Sequence, residues 1–186
     1  MTQTILGNAD PIVVSAESMA GDDAHEIIQS NIDFMNRLLE DIDPEHVSQE
    51  GLVSYYVDYY MAQVCNGGFA QFVWNSGWNL NVVALVTAGL DRFGGERHVA
   101  MFEKMSALVP AERSELEVFC NRDLFGPNAE RDRLNVFNKD FFALKEQEPL
   151  DQANAAWIRA RPGLVVIPQE QMDTLIAERV RAFEDS

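Results

Sequence analysis

Over residues 22–43 the apolar side chains Ile27, Ile28, Phe34, Met35, Leu38, Leu39 and Ile42 return at spacings of three, four and seven, the period of one amphipathic helix. Asp43-Pro44 then supplies an N-cap and a proline at the first helical position. Glu45 follows in the first turn, where the helix dipole favours an anion, so a second helix is expected to about Cys65. Its tyrosines, Tyr55, Tyr56, Tyr59 and Tyr60, come as neighbouring pairs one turn apart, which predicts two facing the core and two at a boundary. In the stretch CNGGFAQFVWNSGWN, Phe69, Phe72 and Val73 fall at i, i+3 and i+4 of a short helix that Asn75-Ser76-Gly77 ends. Asn66 is its expected cap, and Gln71 is expected to satisfy backbone groups at the corner. On that reading a side chain at Gly67 damages the fold.

Helical patterns follow over 80–93, 96–108, 111–120 and 130–147, punctuated by Gly94-Gly95, Pro110 and Gly126-Pro127. Two β-branched runs, Pro11-Ile12-Val13-Val14 and Pro162-Gly163-Leu164-Val165-Val166-Ile167-Pro168, offer one short two-stranded element, and a last helix is expected over 169–183. The expectation is a mainly α fold, a single-domain helical bundle of about seven helices over residues 1–186, with that one β element at most.

Composition sharpens this in one respect. A chain of 186 residues that is 47% hydrophobic supports one well-buried core, but its 30 acidic and 14 basic residues leave a net charge of -16. Such a surface repels free nucleic acid and anionic membranes and suits a basic partner. The charge is uneven along the chain: before position 92 there are thirteen acids against the single base Arg37, a net of -12. The N-terminus lacks the basic start and apolar run of a signal peptide, and the longest mostly apolar stretch, residues 82–90, is too short to span a bilayer, so a cytoplasmic protein is expected. Cys65 and Cys120 belong to no CxxC or Cys/His cluster and are expected to be free, buried thiols.

Glu26, Asp33 and Glu40 repeat every seven residues and line one face of the first helix, roughly 10.5 Å apart at a rise of about 1.5 Å per residue. One DNA strand offers a phosphate about every 3.4 Å of axis, so one helix alone is too sparse to imitate a duplex. Asp22, Asp23, Asp41, Asp43, Glu45, Glu50 and Asp58 fill the gaps if the second helix packs beside the first. Other chemistry finds less support. Gly67-Gly68 opens a helix but lacks the lysine and hydroxyl of a phosphate loop, and no base lies between Arg37 and Arg92. His25 beside Asp22, Asp23 and Glu26, and His46 beside Glu45 and Glu50, have no metal-site spacing. Pairing Cys65 or Cys120 with His98 as nucleophile and base needs a proximity that spacing does not provide. No catalytic residue, cofactor or metal is expected.

The run NGGFAQFVWNSG, after a tyrosine-rich helix and before NVVALVTAGLDRFGGERHVAMFEKM, resembles the signature of the DNA-mimic protein family, NGGFxQ[YF]FxN. Asn66, Gly67, Gly68, Phe69, Gln71, Phe72 and Asn75 agree with it, whereas Gln63 stands where many relatives have glutamate and Cys65 where they often have asparagine. The similar region extends over about 22–147. The resemblance implies a mostly α-helical homodimer that occupies the DNA-binding face of a transcription factor, expected here to be of the helix-turn-helix type, without binding nucleic acid itself. The ten carboxylates named above would serve as phosphates, and the motif would be structural. The alternative is an acidic helical interaction module that binds through an apolar or aromatic surface, around Trp74 and Trp78.

Overall fold

A computed structural model describes residues 9–185; the first residues of the chain, read above for a leader segment, lie outside it. In chain order the elements are β1 (Val13–Ser15), α1 (Ala16–Ala20), α2 (Ala24–Leu38), α3 (Gln49–Gly67), α4 (Phe69–Ser76), α5 (Leu80–Gly89), α6 (Gly95–Ser106), α7 (Arg113–Cys120), α8 (Ala129–Leu134), α9 (Asn138–Gln147), α10 (Leu150–Arg159), β2 (Val165–Ile167) and α11 (Met172–Glu184). The protein is mainly α with one short β pair. β1 and β2 run parallel, with Val13 opposite Val165 and Ser15 opposite Ile167. The expected elements do not include the short helix α1 or α10, and the pattern over 130–147 is broken into α8 and α9.

The chain forms two compact units: Met1–Tyr55 with Asp151–Ser186, and Tyr56–Leu150. In the first, β1 is fully buried, and α2 turns its stripe of Ile27, Ile28, Phe34, Met35 and Leu38 inward. Ser15 caps α1, its Oγ accepting from the Ser18 N–H at 3.1 Å, and Asp23 caps α2 by accepting from the His25 N–H at 2.8 Å. Gly51 on α3 lets helices meet closely. A Cβ there would lie 3.0 Å from Met35 Sδ, and the buried Asn31 amide donates to the Gly51 carbonyl at 3.0 Å. The buried Asn154 of α10 donates likewise to the Ser54 carbonyl at 3.1 Å.

Helix α2 ends at Leu38, four residues before Ile42, the last residue of its apolar pattern. Ile42 is still buried, but from a turn in which its N–H bonds the Leu38 carbonyl at 2.8 Å. Glu40, Asp41 and Asp43 crowd the end at which the helix dipole is already negative, and Pro44, which holds Asp43 extended at ψ 145°, bars any continuation beyond it.

The second unit is packed around aromatic rings. Tyr60 meets Phe102 at 5.1 Å, Phe72 at 5.2 Å and Phe141 at 5.8 Å between centroids, each edge to face, and Phe69 and Trp78 extend the cluster. Only Tyr60 of the four tyrosines is buried; Tyr55, Tyr56 and Tyr59 are half-buried, so the expected division of two and two is corrected. Burial raises the Tyr60 pKa strongly and keeps its hydroxyl neutral. Gly94-Gly95 does not open a loop. Leu90–Gly94 forms a wide π-helical turn that joins α5 to α6, with Gly95 at φ 79°.

Candidate functional site

Seventeen acids and five bases fall in the first unit, a net of -12, and thirteen and nine in the second, a net of -4. The imbalance along the sequence therefore survives folding as an imbalance between units. Of the ten predicted carboxylates, Asp22, Asp23, Glu26, Asp33, Glu40, Asp41, Asp43 and Glu45 are exposed on the first unit. Glu50 is half-buried there and paired with Arg161 at 3.3 Å, while Asp58 is half-buried in the second unit. The helical row is corrected too. Glu26 and Asp33 share α2, but Glu40 lies in the turn beyond it.

The local contacts of these acids leave them facing solvent. Asp33 accepts from Gln29 Nε2 at 2.7 Å, and Glu45 pairs with His46 at 3.3 Å. What sequence reasoning missed is the fate of the arginines that the C-terminal segment brings into this unit. Arg179 pairs with Asp10 at 3.2 Å and lies over the Phe34 ring; Arg161 lies 4.6 Å from the Trp157 ring centroid; Arg159 donates to the Gly21 carbonyl at 3.3 Å. All three are half-buried, with their stems against the protein, so their charge is spent inward while the carboxylates stay outside. Nothing in linear spacing links Arg179 to Asp10.

The glycine corner belongs to the second unit and is built differently from expectation. Gly67 is the last residue of α3, and Gly68, at φ 80°, starts α4. Asn66 is exposed and does not cap α4. The caps come from the α8–α9 break: Asn135 Oδ1 accepts from the Ala70 N–H at 2.8 Å, and Asn138 Oδ1 from the Phe69 N–H at 3.3 Å. Asn135 also donates to the Gly67 carbonyl at 3.2 Å. A Cβ at Gly68 would overlap Asn138 Nδ2 and Asn135 Oδ1, whereas at Gly67 it would overlap the end of the Gln71 side chain and press on its Cβ at 3.0 Å, so Gly68 is the less tolerant of the two. Gln71 and Asn75 do not serve the backbone either; both donate to Gln63 Oε1. Phe69 and Phe72 are fully buried, which makes the corner a packed joint.

Among the described residues no group of three His, Cys, Asp or Glu could hold a metal ion, and no helix is long and apolar enough to cross a membrane. Cys65 and Cys120 form no disulfide and are half-buried, short of the expected burial. Burial raises the Cys120 pKa, which opposes thiolate formation. The buried His98 uses its Nε2–H on the Glu148 carbonyl at 2.8 Å, and desolvation lowers its pKa below the usual 6.5 despite that bond and the Glu148 charge. Because the unfolded chain then binds the proton more readily, stability is complete above about pH 6.5 and falls as pH drops below it toward the lower folded value. Urea midpoints measured from pH 7.5 to 5 should fall for the wild type and change less for His98→Gln; equal slopes would remove His98 as the source.

Fold and surface together define a mainly α-helical acidic protein whose charge is segregated onto one compact unit. The chain belongs to the DMP19-like family: the family model described as DMP19-like protein matches residues 45–161, well over half of its length. No curated protein and no solved structure matches it. The earlier resemblance is thereby corrected. The family is the DMP19-like one, matched over 45–161 instead of about 22–147, and the NGGFxQ[YF]FxN pattern is not shown to define it. Asp22, Asp23, Glu26, Asp33, Glu40, Asp41 and Asp43 all precede the matched segment, as α11 follows it.

Proposed function

We propose that this protein is a DNA mimic: the exposed carboxylates of its first unit take the place of phosphates on the DNA-binding face of a basic protein and block that protein's access to DNA. The observation that carries the reading is the charge of -12 on one unit, with eight of the ten named carboxylates outside and three arginines turned inward. Membership of the DMP19-like family points the same way. The partner is a helix-turn-helix transcription factor, met in the cytoplasm by a homodimer of this chain, and no reaction, cofactor or metal is involved. Opposite charges speed the encounter, and salt weakens it.

A pull-down from the native cytoplasm at low and high salt, followed by competition of the recovered partner with duplex DNA, tests this. Capture is expected at low salt, loss at high salt, and displacement by DNA; a partner held equally at both salts and indifferent to DNA defeats the reading. That outcome would favour the second reading, an apolar interaction module, for which the second unit exposes Phe125 at 85%, Val136 at 62% and Val118 at 52%. Trp74 and Trp78 serve it less well than expected. Trp74 is only 37% exposed and donates to the Arg122 carbonyl, and Trp78 packs against Phe69 and Phe72.

A further inference from the structure

Between α2 and α11 the first unit carries two hollows that share Arg37, Asp173 and Ile176. Apolar side chains lie beneath them, Phe34, Met172 and Ile176 almost fully buried and Val180 half-buried, and carboxylates form their rim: Asp33, Glu40, Asp41, Asp173 and Glu184. Two bases, Arg37 and Arg181, oppose those five acids. The Arg37 guanidinium stands where the hollows meet, its Nη1 2.9 Å from Asp173 Oδ1, with the side chains 49% and 78% exposed. An ion pair so exposed is weakly held and easily exchanged.

Resting on the reading above, we infer that this groove receives an arginine-bearing amphipathic segment of the cationic partner, and that Arg37 occupies the seat the partner's guanidinium takes. The chemistry on the page selects that occupant. A guanidinium offers a planar fork to the five rim carboxylates, which outnumber the two bases, while its stem and a neighbouring apolar side chain lie against Ala177 and Val180. Arg37 already shows a guanidinium bound at this place. It also repels an incoming cation, so it acts as a built-in brake that sets which partners bind tightly enough to displace it.

The probe is a fluorescein-labelled amphipathic peptide with arginines along one helical face and leucines beside them, titrated against the full chain at low salt. Arg37→Gln should tighten binding about three- to fivefold, a change of the size exposed ion pairs produce. Arg92→Gln alters net charge equally from an exposed position in the other unit and should leave affinity unchanged. Ala177→Arg, at an exposed position lining the groove, should weaken binding about tenfold by filling and recharging it. The inference is overturned if Arg37→Gln does no more than Arg92→Gln, or if Ala177→Arg is silent. Failure of the mimic reading looks different: the peptide would follow this pattern while duplex DNA displaced no partner. A partner displaced by DNA whose binding ignored both groove variants would leave mimicry standing and remove the groove.

Discussion

Gly68→Val is expected to cost about 3–5 kcal/mol of unfolding free energy, a large share of the roughly 5–15 kcal/mol that holds a domain folded. Three effects add. At φ 80° a β-branched side chain is strained, its Cβ is driven into Asn135 and Asn138, and the hydrogen bonds that those asparagines accept from the Ala70 and Phe69 N–H groups at the start of α4 are lost. Gly67→Ala is the control. It sits in helical backbone at the end of α3, and its Cβ must displace the end of Gln71 and press on Gln71 Cβ at 3.0 Å, with no clash against the asparagine caps, so it should cost clearly less than Gly68→Val. Urea unfolding of the two variants beside wild type decides the matter; a Gly68→Val protein as stable as the parent would show that the corner can rebuild without its asparagine caps.

The largest expected effect on binding comes from the triple substitution Glu26→Gln, Asp33→Asn and Glu40→Gln. It removes three of the eight exposed carboxylates, and its affinity for the recovered partner at low salt should drop about 10- to 100-fold, with a shallower dependence on ionic strength. Stability should stay within about 0.5 kcal/mol, since these are surface positions that cap no helix. Titrating partner against both proteins at two salt concentrations reads affinity and slope together. Unchanged affinity would remove this face from the assignment and leave the exposed apolar side chains of the second unit to explain binding.

The local layer of the fold was legible because periodicity reports burial directly. The stripe from Ile27 to Leu38 marks α2, and the β-branched runs around Val13, which follows Pro11, and around Val165, between Pro162 and Pro168, mark the two strands that pair. Where periodicity continues past a physical stop it misleads. Ile42 extends the α2 pattern and is buried, yet it reaches the core from a turn, so Glu40 was placed on a helix it does not join. Asn135 and Asn138 interrupt a helical pattern three residues apart, a signal of a break that the surrounding apolar residues masked. Their partners are 65 and 69 residues away, beyond what spacing reveals. The same holds for the candidate surface. Exposure of the acids could be read from the polar face of α2, but the inward turn of Arg159, Arg161 and Arg179 depends on tertiary contacts with Gly21, Trp157 and Asp10.

The parallel pair of β1 with β2 also sets an order of events during synthesis. The acidic segment that ends at Tyr55 cannot complete its unit until Asp151 and the residues after it have left the ribosome, since β2, α10 and α11 supply its missing parts. At about 5–20 residues per second that wait is roughly 6–26 s, during which Tyr56–Leu150 is free to fold on its own contacts. A nascent chain therefore carries its carboxylates on an open segment first and gains their fixed arrangement last.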